Sequence, residues 1–344
     1  MNKVRIGIIG MGRMGITHYS IINTHPDVEI VSVSDSLELM LNMLKKYIPG
    51  VKTYTDYKEQ LTAGDLDGVL VCTPSFLHHP VSKLAAEKGI SVFCEKPFTT
   101  NPKLAHELAD LFEQKTLVNQ VGYVNRFDPV WNRVKKFIQD GIIGKIAHVN
   151  AQFFSATITA PQTKDGWRSK HENGGGATYE MGSHLIDLME FFFGKPEKLY
   201  GSALDYIYSN NVEDICSAEI AYPGNVNVSL HVDWSDFTYR KPMMKVEIIG
   251  DKGKIQADFY GYKIYLREKN ITEGLPQGWT TVPMNMIPVS CNYYVRGVGF
   301  TTQLHTFADA IRDNKQAKGC SFREAAYDQE LMHGIFENDE NSKK

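Results

Sequence analysis

A strand that runs straight into a glycine-rich turn, and from there into a helix, most limits how this chain can fold. Val4-Arg5-Ile6-Gly7-Ile8-Ile9 is apolar enough for a buried strand, and Gly10-Met11-Gly12-Arg13-Met14-Gly15 follows it directly. An amphipathic helix is predicted over about 14–23. In that setting the three glycines act differently. Gly10 allows a tight turn, Gly12 lets the backbone approach a pyrophosphate, and Gly15 lets the helix pack close to the strand. The helix N-terminus adds N–H groups and a positive dipole end, so Arg13 and Met14 count with the glycines as cofactor-binding positions. A second strand over 28–34 ends on Asp35. A carboxylate there accepts hydrogen bonds from ribose hydroxyls and repels a 2′-phosphate, and Ser36 and Leu37 offer no arginine to pair one. NAD is therefore expected rather than NADP.

The alternation continues with strands over 51–54, 68–72, 90–94 and 117–121 and helices over 77–88 and 102–114. Repeated strand–helix units predict a doubly wound parallel sheet, the Rossmann arrangement, in the N-terminal part. Thr73-Pro74 ends one strand, and Glu95-Lys96-Pro97 ends the next. Ligands of open α/β sheets bind outside the carboxyl ends of the strands, which is where Lys96 stands. Pro97 restricts the residue before it and so sets the Lys96 backbone direction. The competing reading is a loop with a solvated Glu–Lys pair. His78, near a helix start, is either a cofactor contact or a helix-surface histidine.

At 344 residues the chain exceeds what one core usually holds, so two domains are expected, 1–124 and 125–337, with 338–344 a disordered tail. A net charge of −3 gives no reason to expect nucleic acid or an anionic membrane as partner, and no apolar run approaches a membrane span. The N-terminus enters a strand with no basic leader ahead of it. Five scattered cysteines without CxxC spacing argue for reduced thiols and no metal site, hence a cytoplasmic location.

In the second half, Arg126 precedes a helix ending near Gly141 and is either close to the active site or part of an exposed link. Trp167-Arg168 lies in a Gly/Pro-rich stretch that closes on Gly174-Gly175-Gly176. Arg168 can bind a phosphate or carboxylate bidentately, or form a structural ion pair. In the helix that follows, Glu180, His184 and Asp187 fall at i, i+4 and i+7 and share one face. A histidine between two carboxylates can have its tautomer and charge set by them. Tyr179 is a phenolic acid or a packing residue. Beyond 198 the chain is strand-rich, with hairpin signals at 223–225 and 250–253. Alternation such as Val226, Val228, Leu230, Val232 predicts one buried and one open sheet face. That open face, expected to be apolar, predicts a homodimer or homotetramer. Residues 270–295 are expected to be irregular, ending in Tyr293-Tyr294-Val295-Arg296, and two helices over 300–312 and 322–336 close the chain.

GMGRMG after the first strand, Asp35, CTPSFLHH at 72–79, CEKP at 94–97 and the later GGG…H…D together resemble the Gfo/Idh/MocA oxidoreductase family, over about residues 3–336. The resemblance implies an N-terminal Rossmann domain and a C-terminal α+β domain with an open, mostly antiparallel sheet. It implies that Lys96 contacts the nicotinamide ribose and the substrate, that Pro97 is cis, and that Glu95, Thr73 and Pro74 are cofactor contacts. It also implies that Trp167, Arg168 and Arg126 face substrate, and that His184 is an acid–base residue. Glu180 stands where the family usually has Asp.

The expected function is NAD-dependent hydride transfer to or from a sugar, cyclitol or nucleotide sugar, with His184 as base and Lys96 polarising the same oxygen. Two alternatives are an NAD-dependent glycosidase working by transient oxidation and a dinucleotide-binding regulator without turnover.

Overall fold

The computed structural model describes residues 3–48, 50–161, 166–289, 291 and 296–343, with Trp167 described for its backbone alone. The chain forms two compact units: Met1–Phe127 with Cys291–Gln329, and Asp128–Ser290 with Glu330–Lys344.

The first unit opens as β1 (Val4–Ile9), α1 (Arg13–Ile22), β2 (Val28–Ser34), α2 (Glu38–Tyr47), β3 (Lys52–Tyr54) and α3 (Tyr57–Thr62). It continues through β4 (Gly68–Val71), α4 (His78–Glu87), β5 (Ser91–Cys94), α5 (Pro102–Gln114) and β6 (Asn119–Val121). All neighbours are parallel, in the order β3-β2-β1-β4-β5-β6. β4 and β5 are buried at every residue, as strands covered on both faces must be. The winding reverses between β1 and β4, and that switch point opens a crevice at their carboxyl ends. α5 starts as its sequence dictates: Asn101 accepts from the Lys103 N–H at 2.9 Å, and Pro102 takes the first helical position.

The second unit contains α6 (Pro129–Gln139), β7 (Ile146–Phe154), α7 (Ser183–Phe193), β8 (Lys198–Asp205), β9 (Ile215–Tyr222) and β10 (Val226–Asp233). β11 (Met243–Gly250), β12 (Gly253–Asp258), β13 (Gly261–Leu266) and β14 (Gly278–Pro283) complete its sheet, ordered β14-β13-β12-β11-β7-β10-β9-β8. Every pair is antiparallel except β7 with β10. Val226, Val228, Leu230 and Val232 are all buried, in one core with Trp131 and Phe137 of α6 and Leu185 and Leu188 of α7. The apolar alternation is thus spent on the covered face. The open face is largely polar with an aromatic pair towards one edge, contrary to the expectation of an apolar one. Gln256 donates to Glu247 at 2.7 Å there, Lys254 pairs with Glu247 at 3.1 Å, and Tyr265 meets Trp279 at 5.4 Å.

Two helices close the chain, α8 (Val298–Arg312) and α9 (Phe322–Ser342). The single boundary expected near 124 does not describe them. Leu304, Phe307 and Ala308 of α8 lie in one core with Ile6, Ile8 and Val33, so 291–329 returns to the first unit. The expected disordered tail is helical as far as Ser342. β8 is an edge strand, and Asn338 and Asp339 accept its N–H groups, from Ser202 at 2.8 Å and Leu204 at 3.0 Å. The stretch expected to be irregular contains β14. Tyr293, Tyr294 and Val295 lie outside the described residues.

Candidate functional site

In the first unit the site residues gather at the carboxyl ends of the strands. Gly10 has φ of +89°, and a Cβ there would lie 2.8 Å from the Cys72 carbonyl oxygen. A Cβ on Gly15 would collide with the Gly10 carbonyl. Gly12 differs from both: nothing lies within 4 Å of where its Cβ would be, and no side chain caps α1. The middle glycine therefore leaves open backbone at a helix N-terminus, the cradle a pyrophosphate needs. Asp35 braces the same turn, accepting from the Met11 N–H at 2.7 Å and the Leu37 N–H at 2.9 Å. Each carboxylate oxygen keeps a lone pair for ribose hydroxyls. These residues fit NAD.

Between 90 and 99 every residue is buried except Lys96. The Lys96–Pro97 peptide is cis. Glu95 is 9% exposed, and both its oxygens are engaged within the protein. Oε1 lies 2.5 Å from His18 Nε2, and Oε2 accepts from the Lys96 N–H at 3.2 Å. Burial pushes this carboxyl up, but the His18 hydrogen bond and the charges of His18 and Lys96 outweigh it and hold the carboxyl below its ordinary range.

His78 is not a helix-surface histidine. It is buried, with Nδ1 2.9 Å from the Pro97 carbonyl oxygen and 3.2 Å from that of Phe98, and Nε2 2.9 Å from that of Thr73. It ties the Thr73-Pro74 loop to Pro97. Burial lowers its pKa against the pull of those carbonyls. Arg126 is not an exposed link either: its side chain is buried and donates to Glu324 at 2.6 Å. Glu324 is raised by burial but held below its ordinary range by Arg126.

In the second unit every residue from 174 to 190 is buried except Glu180 and His184. Thr178–Gly182 is π-helical and leads into α7. The i→i+5 turn spans Glu180 and changes its angular relation to His184, whereas His184 and Asp187 remain three apart on the regular α7. Glu180 and His184 stay partly exposed while Asp187 is fully buried. Arg168, which follows Trp167 in a short 3₁₀ turn, donates to Glu180 at 3.1 Å. Tyr179 is 5% exposed and packs against the His171 and Phe336 rings. Burial, then the charge of Glu213, pushes its phenol up to about 12, so it stays protonated near neutrality.

Two residues are not singled out by the sequence pattern. Glu213 is fully buried, accepts from the Thr178 N–H at 2.8 Å and lies 3.2 Å from His171 Nε2. A Cβ on Gly176 would come within 2.5 Å of its Oε1. Burial pushes its carboxyl up to about 7 against the Thr178 hydrogen bond. The adjacent acids Glu213-Asp214 ahead of a strand were the available signal, and nothing local marks them as buried. The other is His18, whose signal was its place on the apolar side of α1 with Gly15, Ile21 and Ile22.

Residues 4–123 match the model of the oxidoreductase family's NAD-binding Rossmann fold, and residues 131–256 match the GFO/IDH/MocA C-terminal domain. Rhizopine catabolism protein MocA of Rhizobium meliloti is 32% identical over 196 residues, 57% of this chain and 59% of that protein. The chain thus spans about three fifths of that relative's length. Myo-inositol 2-dehydrogenase of Thermotoga maritima is 27% identical over 258 residues, 74% of this chain and 75% of that one. A levoglucosan dehydrogenase solved with NADH and L-sorbose superposes with a TM-score of 0.88 over 99% of this chain and 98% of its own. At 19% identity that likeness is one of fold. Among the described residues no helix is long and apolar enough to cross a membrane.

Proposed function

We propose that this chain, which belongs to the GFO/IDH/MocA oxidoreductase family, is an NAD-dependent dehydrogenase acting on a carbinol or keto carbon of a sugar, cyclitol or nucleotide sugar. One observation carries the reading. Beside an open phosphate cradle at Gly12, Lys96 is the single side chain between 90 and 99 that escapes burial. The nicotinamide, when bound, supplies hydride exchange. The chain's own residues bind, orient and handle the proton. Gly10, Gly12, Gly15 and the first turn of α1 hold the pyrophosphate, and Asp35 takes the adenosine ribose. The Lys96 ammonium donates to the reacting substrate oxygen and polarises it.

His184 serves the same proton transfer as general base. Tyr179 does not compete for that role, because its phenol is pushed up to about 12. Glu180 and Arg168 hold each other at 3.1 Å and together offer one charged edge to a polyhydroxylated ligand. Compounds named for relatives and solved neighbours set the test panel: myo-inositol, levoglucosan and UDP-N-acetylglucosaminuronic acid, each with NAD and followed by NADH absorbance. Turnover of any of them supports the reading, whereas NAD binding with no NADH formed from a wider polyol and sugar-nucleotide panel would sink it.

A second copy of the chain is the proposed partner, docked on the open sheet face. Asn150, Gln152, Lys245 and Gln256 line a hollow of about 580 Å³ there, and Trp279 is 53% exposed beside Tyr265. That mix of aromatic and polar groups suits an interface between copies better than the apolar patch expected from sequence. Light scattering at micromolar concentration should give a dimer or tetramer, and a monomer refutes it. All five cysteines are thiols rather than halves of disulfides, which supports a reducing, cytoplasmic location.

A further inference from the structure

We propose that His18, acting through Glu95, is a positioning residue for Lys96. The inference rests on the role proposed above for Lys96.

His18 is fully buried in α1, with its ring edge-on to Phe93 at 5.3 Å and tilted against Phe300 at 6.3 Å. An apolar side chain would fill that space. A buried imidazole costs stability there unless it is paired, and Nε2 finds its partner 2.5 Å away in Glu95 Oε1. A buried polar pair is a poor stabiliser compared with apolar packing, so what this one supplies is orientation. The second oxygen of the same carboxylate accepts the Lys96 backbone N–H at 3.2 Å.

The carboxylate is crowded from behind as well. A Cβ on Gly122 would lie 3.1 Å from Glu95 Oε1 and 3.3 Å from its Cδ. The strand ends on either side are latched by Glu95 N–H to the Val71 carbonyl at 2.9 Å and Gly122 N–H to the Cys94 carbonyl at 2.8 Å. One carboxylate thus joins α1 to the Lys96 backbone N–H, one bond from the Cα that carries the Lys96 side chain. Without the His18 donor, an ionised Glu95 would be left buried and unpaired on that side. It would turn away from the Lys96 N–H or draw water in, and the direction of the amine would loosen.

The test uses the full chain with NAD and the member of the three-compound panel that turns over fastest. His18→Leu keeps the volume but removes the donor; His18→Gln returns an N–H near the place of Nε2. His18→Leu should lower kcat by about 10- to 100-fold, the scale of a small misplacement of a reacting group. KM and the NAD dissociation constant should move by less than about threefold. His18→Gln should restore most of the loss. Glu95→Gln should lose about as much as His18→Leu, and the double variant no more than either, because they share one path.

A readout without turnover accompanies these. The rate of Lys96 acetylation by acetic anhydride, mapped by peptide mass in the cofactor-free chain, should change in His18→Leu and return in His18→Gln. If His18→Leu does not fold, Glu95→Gln carries the test. Normal kcat in both variants, with Lys96→Met strongly impaired, overturns the inference and leaves the Lys96 reading standing. Equal damage to kcat and NAD affinity, unrelieved by His18→Gln, also overturns it. Normal kcat in Lys96→Met overturns the reading of Lys96 itself.

Discussion

Between residues 90 and 99 one side chain, Lys96, escapes burial; between 174 and 190 two do, Glu180 and His184. Taken each within its own unit, these segments place a polar group at a surface from an otherwise buried stretch of chain, and they do so differently. Lys96 leaves the end of a fully buried parallel strand whose last hydrogen bonds, Glu95 to Val71 and Gly122 to Cys94, are regular ladder bonds. Glu180 leaves a π turn and His184 the first turn of α7 that follows it, with no strand ladder to fix the π turn. A buried acid, Glu213, holds that turn by the Thr178 N–H instead.

The two buried carboxylates also differ in charge. Glu95 is held below its ordinary range by His18 and Lys96 despite burial, so it does not titrate near neutrality. For Glu213 burial prevails over the Thr178 hydrogen bond and pushes the carboxyl up to about 7. Regular structure with a paired acid keeps that acid below its ordinary range; an irregular turn on an acid for which burial prevails makes a pH-responsive corner.

The largest effect should come from removing the exposed groups themselves. Lys96→Met and His184→Ala should each lower kcat by about 10²–10⁴, the usual cost of losing a positioned acid–base group. Under the proposed sharing of one proton transfer, the double variant should lose far less than the product of the two, which steady-state kinetics will show. If His184→Ala keeps its kcat, the base is elsewhere and the comparison loses its second half.

Next comes the difference in charge. The unfolded Glu213 carboxyl releases its proton near the ordinary 4.5, while the folded one keeps it until about 7. Below 4.5 both states are protonated and the group is neutral toward folding. As pH rises from there the unfolded state binds fewer protons than the folded one, so stability falls; above about 7 the loss is complete and constant. The full swing is on the order of 3 kcal/mol. Urea unfolding at about pH 5 and about pH 8 should therefore show Glu213→Gln gaining on the parent at the higher pH. An unchanged difference between the two would remove the contrast with Glu95.

The smallest effect concerns the cofactor turn. Asp35→Ala should weaken NAD about tenfold, ~1.4 kcal/mol, and narrow the preference over NADP. Titration calorimetry with both dinucleotides checks it. A parent chain that prefers NADP would contradict the reading of Asp35.

Much of the first unit was legible in the sequence, and the second less so, for a physical reason. The roles of Gly10 and Gly15 follow from backbone sterics a few residues apart, and Asp35 from its place at a strand end. The Lys96 corner follows from a short apolar run and a proline. Glu180, His184 and Asp187 read as one helical face only if the helix is regular. The π turn, which has no sequence signature, alters the step from Glu180 to His184, and the burial of Asp187, three residues beyond the partly exposed His184 on α7, is set by what packs on it and not by spacing.

Local pattern determined the order of strands and helices, the glycine turn and the acid at the end of the second strand, because these depend on neighbours in the chain. Tertiary structure decided what each buried charge would meet. His18 and Glu95 are 77 residues apart, and Arg126 and Glu324 are 198 apart. It also decided that α8 would bury Leu304 and Phe307 on the first sheet, and that Asn338 and Asp339 would cap the edge of the second. An apolar face in a sequence says that something must cover it. Which surface does so depends on the shape and unpaired groups of elements folded from distant parts of the chain.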